Sequence, residues 1–416
     1  MNPPAGSPPA TSVAATTSAP HARGFWIIGY TYAATMAFAG APAPLFVIYQ
    51  ARGGYGTIGI TVAFAAFAVG VGTALFLAGH LSDRFGRVRL LGPAVLLNIL
   101  TGLVFLTSTD LLWVIAARTV SGFGVGMLTA TATAYMTELH AASRARGGSP
   151  AVQASGGRAE MAATAANIGG IGVGMLVSGV LADVVAAPLY TPYLILLFAM
   201  IAGLLLVSLV PETVAVAHGS WRYRPQRVVV PDRSRSAYAG ALTAGFVGFA
   251  MFGVFSALSG SFLADQLHIT SHAVTGLIAF SAFGAAATAQ IATARWSNGV
   301  QRAVGVTALA TGLVLLVLAI LVVAFPAFLA GGIVTGAGTG TLFKASVTTV
   351  VSVADAANRA EALAGFFVAA YAGMSVPIIL LGILLQAVPA AAAVLTFGAL
   401  MLALLVGASV LVRSGT

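Results

Sequence analysis

The chain has 416 residues, of which 59% are hydrophobic and only 7% charged, with a mean hydropathy of +0.99. Soluble domains carry about 25% charged residues, so this composition excludes a soluble globule and predicts an integral membrane protein. The net charge of +9 does not imply nucleic acid as a partner, because basic membrane proteins gather Lys and Arg in loops on one side of the bilayer; with no cysteine, disulfides, thiolate metal sites and thiol chemistry are excluded as well.

Residues 1–22 are dominated by Pro, Ala, Ser and Thr, have no apolar core, and predict a disordered tail. They lack the basic start and apolar middle of a signal peptide. Twelve apolar runs follow, at roughly 24–50, 57–78, 90–107, 111–138, 158–184, 189–210, 237–263, 271–294, 303–324, 327–353, 360–386 and 389–412. Each is near the ~20 residues that cross a bilayer as a helix, or exceeds it by an amount that tilting absorbs. The predicted organisation is all-α: a six-helix bundle at 23–210, a polar linker at 211–236, a second six-helix bundle at 237–412 and a short end at 413–416. The linker carries a basic strip, Ser220 to Arg227, read as a solvated connection that also enforces orientation.

Between spans 2 and 3 lies GHLSDRFGRVR, Gly79 to Arg89. Asp83, Arg84, Arg87 and Arg89 cannot lie in hydrocarbon, and the positive excess assigns this loop to the cytoplasmic side. With twelve spans, both termini then lie on that side too, which points to the inner membrane. Sixteen of the 19 Lys and Arg fall on the assigned inner side. They are Arg23, the 84–89 trio, Arg144, Arg146, Arg158, the five arginines from 222 to 235, Arg295, Arg302, Arg359 and Arg413. Arg52 is outside, and Arg118 and Lys344 lie within spans 4 and 10.

The loop resembles the signature between the second and third helices of the major facilitator superfamily, matched at Gly79, Leu81, Ser82, Asp83, Arg84, Gly86 and Arg87. In span 4, Arg118 stands four residues before Gly122, as in that family's arginine-and-glycine pattern. In span 5, Gly170 to Gly179 resembles the glycine signature of its exporters, with Met175 in place of Pro and Ser178 in place of Gly. Pro211-Glu212-Thr213 and Pro42-Ala43-Pro44-Leu45 resemble bacterial drug-efflux-type members. The resemblance implies two six-helix bundles that rock about a midplane site. It also implies a conformational latch made by Gly79, Asp83, Arg84, Gly86 and Arg87, with Asp83 facing the start of span 11 near Arg359 and Glu361.

The halves are related internally: VSGFGVG at Val120–Gly126 recurs as VTGAGTG at Val334–Gly340, and Ala165, Ala166 and Gly169 recur as Ala369, Ala370 and Gly373. Gly122, Gly126, Gly170, Gly174 and Gly179 are expected to let helices approach closely and slide, since association in lipid depends on small residues.

By family resemblance, spans 1, 4, 7 and 10 line a central cavity. Candidate substrate contacts are Tyr30, Tyr32, Arg118, Ser121, Phe252, Ser256, Thr339 and Lys344. A charge within the bilayer costs at least ~2.5–3.5 kcal/mol on insertion scales and so faces a cavity or a partner. If Arg118 and Lys344 both face the cavity, they favour an anionic or electron-rich substrate; the aromatic content of span 7 suits a flat apolar one. Backbone hydrogen bonding to span 1 for Arg118, and snorkelling for Lys344, are the structural alternatives.

All ten Asp and Glu lie near span ends. A proton-coupled carrier needs a group whose proton affinity changes between states, and Glu138 and Asp183 are the nearest candidates. Asp265, His268 and His272 do not make a metal site, because Ser271 reads as the cap opening span 8. No phosphate loop or nucleophile motif occurs, so neither ATP hydrolysis nor any cofactor is expected. The expected function is secondary transport of a small organic molecule by a functional monomer, as proton-coupled export. Proton-symport uptake of an organic anion is the alternative, and a non-transporting membrane scaffold or receptor is the rival of another class.

Overall fold

Hydrocarbon offers no partner for an open backbone N–H or C=O, so a chain this apolar satisfies its main chain within helices. The computed structural model describes residues 19–144, 152–214, 223, 234–257, 259–355 and 358–415, and no strand occurs among them. Eleven helices are long and apolar enough to cross a membrane: Pro20–Gly53, Thr57–Ala78, Arg87–Thr107, Leu111–Arg144, Gly157–Val184, Arg235–Ala257, His272–Ala292, Asn298–Leu321, Phe325–Val353, Glu361–Ala387 and Ala390–Arg413. Thr191–Val207, with 17 residues, completes twelve as span 6. Span 7 is continued by a short helix, Ser259–Leu267.

The first helix begins at Ala19, inside the segment expected to be a disordered tail; residues 1–18 lie outside the described residues. Of the linker, Pro211–Val214 and Tyr223 are described. Tyr223 donates to the Leu77 carbonyl at 3.0 Å and stacks on His80, so this part of the linker packs onto the C-terminal end of span 2. Arg222, Arg224 and Arg227 lie outside the described residues.

Exposure sorts the spans into layers. Spans 3, 6, 9 and 12 turn large apolar side chains outward, among them Leu100, Phe198, Leu318 and Val406. Spans 1 and 7 are the most enclosed, with 83% and 72% of their apolar windows buried. The two halves each hold a core, and Phe46, Ile60, Phe64 and Ala68 of the first half belong to the second half's core.

The duplication seen in the sequence recurs in packing. A Cβ on Gly122 would meet the Phe67 carbonyl of span 2, and one on Gly336 would meet the Ala282 carbonyl of span 8. Gly174 lies against Ala37 of span 1 and Gly373 against Phe246 of span 7, whereas Gly169, the repeat counterpart of Gly373, meets nothing within 4 Å. Gly126 and Gly170 likewise pack within the first half, against Val71 and Ala33. Of the five glycines expected to permit sliding, Gly179 alone touches the other half, at the His272 carbonyl.

Candidate functional site

Span 1 breaks at Ala41 because Pro42 and Pro44 have no N–H to continue the helical ladder. Two side chains supply donors there. Arg118 Nη1 donates to the Ala39 carbonyl at 2.9 Å, and Ser178 Oγ donates to the Ala41 carbonyl at 2.8 Å. Arg118 is 3% exposed and lies over the Phe67 ring at 4.2 Å, a cation–π contact that offsets part of its desolvation. Its partners are therefore the backbone of span 1 and rings of span 2. Ser178, which replaces the expected glycine, earns its place through the same break.

The inter-half cavity opens at the Arg-rich end of the molecule. It encloses about 510 Å³ and is lined by Leu75, Thr129, Ala130, Thr133, Ala134, Thr137, Glu138 and Phe367. Tyr32 is buried beside it, its hydroxyl 3.5 Å from Thr133 Oγ1. The facing half supplies a chain of rings: Phe252 stacks on Phe283 with centroids 4.3 Å apart, Phe249 meets Phe252, Phe343 and Tyr371, and Phe343 meets Phe366 and Phe367. The cavity lining thus joins threonine hydroxyls to the Phe367 ring, which leads into this chain of rings, a combination suited to a small organic molecule.

Other expected contacts lie elsewhere. Ser121 Oγ donates to Asn98 Oδ1 at 2.8 Å, toward span 3 and away from the centre. Tyr30 donates to the Ala199 carbonyl of span 6 and lines a second cavity, described below. Ser256 and Thr339 are buried with hydroxyls that have no hydrogen-bond partner among the described residues. Lys344 Nζ bonds Glu160 Oε1 of span 5 at 2.6 Å, so its charge is matched across the halves. Phe367, Tyr371 and Glu160 were not among the sequence candidates.

The signature loop is anchored within its own half. Arg87 binds Asp83 at 2.6 Å, Glu138 at 2.6 Å and Ser82 Oγ at 2.6 Å. Glu212 accepts from the N–H groups of Arg87 and Val88 at 2.9 and 3.1 Å, capping span 3. Thr213 donates to Glu138, and Tyr135 to the Pro211 carbonyl. Glu212 therefore holds the loop directly and Thr213 through Glu138, while Pro211 ties the same segment to span 4. Gly86 has φ +100°, and a Cβ there would strike Glu212, so two constraints require glycine. Asp83, with its side chain 66% exposed, makes no ion pair or hydrogen bond to Arg359 or Glu361 among the described residues. Arg84 N–H donates to the Leu81 carbonyl in the same turn, and Gly79 ends span 2 just before it.

At the opposite end the halves are fastened. Asp183 of span 5 accepts from Ser271 Oγ at 2.5 Å and from the His272 and Ala273 N–H groups at 2.9 Å, and contacts His272 Nδ1 at 2.8 Å. Ser271 in turn accepts from Val274 N. The carboxylate therefore caps the positive end of span 8 from across the interface. Gly276 lies against the Met175 carbonyl, and Gly382 of span 11 against Thr61 of span 2. Met175, in place of the expected proline, packs with Phe252 and Phe283. Between Glu160 and Asp183, span 5 contains a π-helical stretch, Ala165–Gly169, of the kind often found at functional sites.

A sequence profile of the Major Facilitator Superfamily matches residues 24–233. The arabinose-proton symporter of Bacillus subtilis (strain 168) is 41% identical over 70 residues, 17% of this chain and 14% of that protein; the chain thus aligns with a small part of that relative. Among solved structures, the nucleoside transporter NupG superimposes with TM-score 0.71 at 11% identity, covering 93% of this chain and 99% of that one. A POT family transporter in complex with 5-aminolevulinic acid gives 0.72 at 12% identity, covering 95% and 97%. The human organic anion transporter MFSD10 gives 0.64 at 16% identity, covering 94% and 99%. The chain belongs to the Major Facilitator Superfamily and is a multi-pass membrane transporter.

Proposed function

We propose that the protein exports a small organic molecule by alternating access, driven by protons moving the other way. The cavity at the Arg-rich end, lined by Thr129, Thr133 and Phe367 with Tyr32 beside it, supports this reading, because hydroxyl and ring surfaces together suit a small organic molecule. The positive-inside rule makes that end cytoplasmic, with both termini there and the membrane the inner one. A neutral molecule with a flat aromatic body fits these walls better than a free anion. Lys344 is already matched by Glu160, and Arg118 is engaged by span 1.

Asp183 is our choice for the coupling group. Its contacts lie between the halves and must be lost when that end opens, so its proton affinity changes between states. Glu138 is held by Arg87 and Thr213 within one half, and its surroundings change less. Asp83 serves as the latch of the cytoplasmic end, engaged only when that end closes.

Uptake of an organic anion by proton symport is the second reading; the similarity to an arabinose-proton symporter favours symport as the mode, arabinose itself being a neutral sugar. Purified protein in liposomes under an imposed pH gradient separates the two, using a panel of aromatic dyes and organic anions. Dye movement opposite to protons is the expected result. Movement with the protons transfers the conclusion to symport, and absence of flux across the panel removes transport of these classes.

A further inference from the structure

A second cavity, of about 920 Å³, opens at the Arg-rich end beside the first. Three helices each turn one face to it. Phe25, Trp26, Gly29 and Tyr30 come from span 1, His140 and Arg144 from span 4, and Arg158, Met161 and Ala165 from span 5, while Ile291 of span 8 closes it from the other half. The side chains divide by depth. The floor is apolar, and the rim is made of two arginines, both exposed. Trp26 is 71% exposed at the mouth, and Phe25 packs edge-on to it and against His140. His140 Nε2 is buried with no hydrogen-bond partner among the described residues. None of these residues takes part in the cavity or the fastenings assigned to transport above.

We propose that this cavity binds an anionic phospholipid from the adjoining leaflet, with its phosphate on Arg144 and Arg158 and an acyl chain over Phe25, Met161 and Ile291. Trp and Tyr settle at headgroup depth with their rings toward the acyl region. Guanidinium groups at that depth attract anionic headgroups, each contributing about 1 kcal/mol near the surface. A free phosphate would satisfy the rim and leave the apolar floor in water; a zwitterionic lipid would fill the floor and leave the arginines uncompensated. Because Ile291 belongs to the second half, a lipid here contacts both halves and biases their relative position. The site is independent of the direction of transport proposed above.

The test uses the full chain in neutral detergent, titrated with dioleoylphosphatidylglycerol, dioleoylphosphatidylcholine or inorganic phosphate, and read by melting temperature and by native mass spectrometry of retained lipid. Phosphatidylglycerol is expected to be retained and to raise the melting temperature, with no effect of the other two. Arg144→Ala with Arg158→Ala should weaken its binding about thirty-fold, from about 1 kcal/mol for each guanidinium. Met161→Trp, which fills the floor and leaves every charge in place, should abolish retention. Arg295→Ala with Arg302→Ala, at the turn and first helical turns between spans 8 and 9 of the second half, should leave it unchanged. Equal loss in both double variants, an unchanged affinity in the first, or reproduction of the shift by inorganic phosphate would overturn the proposal.

Discussion

Lys344 and Glu160 meet at 2.6 Å across the two halves of the molecule, joining the chain's single lysine to the Arg-rich end of span 5. The other end of the same helix carries Asp183, which is bound to span 8. Span 5 is thus pinned to the second half at both ends, by acids 23 positions apart in sequence. At about 1.5 Å per residue that separation approaches the thickness of the hydrocarbon core. A rocking motion that opens the Asp183 end must release that acid, whereas the Lys344–Glu160 pair coexists with a cavity open at the Arg-rich end and limits how far that end spreads.

Removing the Lys344–Glu160 pair should let the Arg-rich end spread further. Glu160 is 58% exposed, so the pair is screened and a double-mutant cycle on Lys344→Ala and Glu160→Gln should return about 1 kcal/mol or less. The larger effect is on state. Thr133→Cys, placed in the cavity, should react faster with a membrane-impermeant maleimide in inside-out vesicles when either partner is removed, and the charge-reversed pair should restore the slow rate. Equal labelling rates in all backgrounds would show that the pair is not a restraint.

Asp183→Asn removes the charge that caps span 8, a loss of about 0.5–2 kcal/mol by analogy with other N-caps. Labelling of Thr61→Cys from the opposite face should increase, and substrate flux should stop responding to a pH gradient. Glu138→Gln should keep that response. Retention of coupling in the Asp183 variant and its loss in the Glu138 variant would exchange the two assignments.

Gly86→Ala should destabilise the protein by about 1–3 kcal/mol, because φ +100° is a strained conformation for an L side chain. Glu212→Ala, which uncaps the Arg87 and Val88 N–H groups, should cost about 1 kcal/mol. Together the two should cost less than their sum, since the alanine Cβ at 86 collides with the carboxylate that the second change removes. Thermal melting of the three variants in one detergent checks this, and strict additivity would contradict the geometry.

Two glycines of one helix should behave differently. Gly174→Leu drives a side chain into the Ala37 backbone of the same half, and folded yield should fall sharply, as expected for overpacking of a tight contact. Gly179→Leu pushes against His272 of the other half, and the protein should fold while its outer end opens. Gel-filtration yield and Thr61→Cys labelling separate the outcomes; a collapse of yield in both would make Gly179 a packing residue like the rest.

Sequence reasoning reached the topology because hydrophobic run length, loop charge and internal repetition are local or periodic signals. Twelve spans, two related halves and the anchored loop at Gly79–Arg89 follow from them. It placed several side chains less well, because spans that are apolar or small on every face carry no periodicity to orient them. Ser121 and Thr335 occupy the same position in the repeat, yet one bonds Asn98 and the other, with no hydrogen-bond partner among the described residues, lies against Gly312. Arg118 was recognised as needing a partner, but whether a cavity or the span 1 carbonyl supplied it was left open by composition.

The amino-acid sequence alone determined the class of protein and its passage through the bilayer, since insertion free energies sum along the chain without reference to what packs against what. Only the tertiary structure decided the partners of the charges: Lys344 with Glu160, Asp183 with span 8, Glu212 with the start of span 3. Each of those pairs joins residues far apart in the chain, and an electrostatic partner within the membrane is selected by three-dimensional approach in a medium where an unmatched charge is costly.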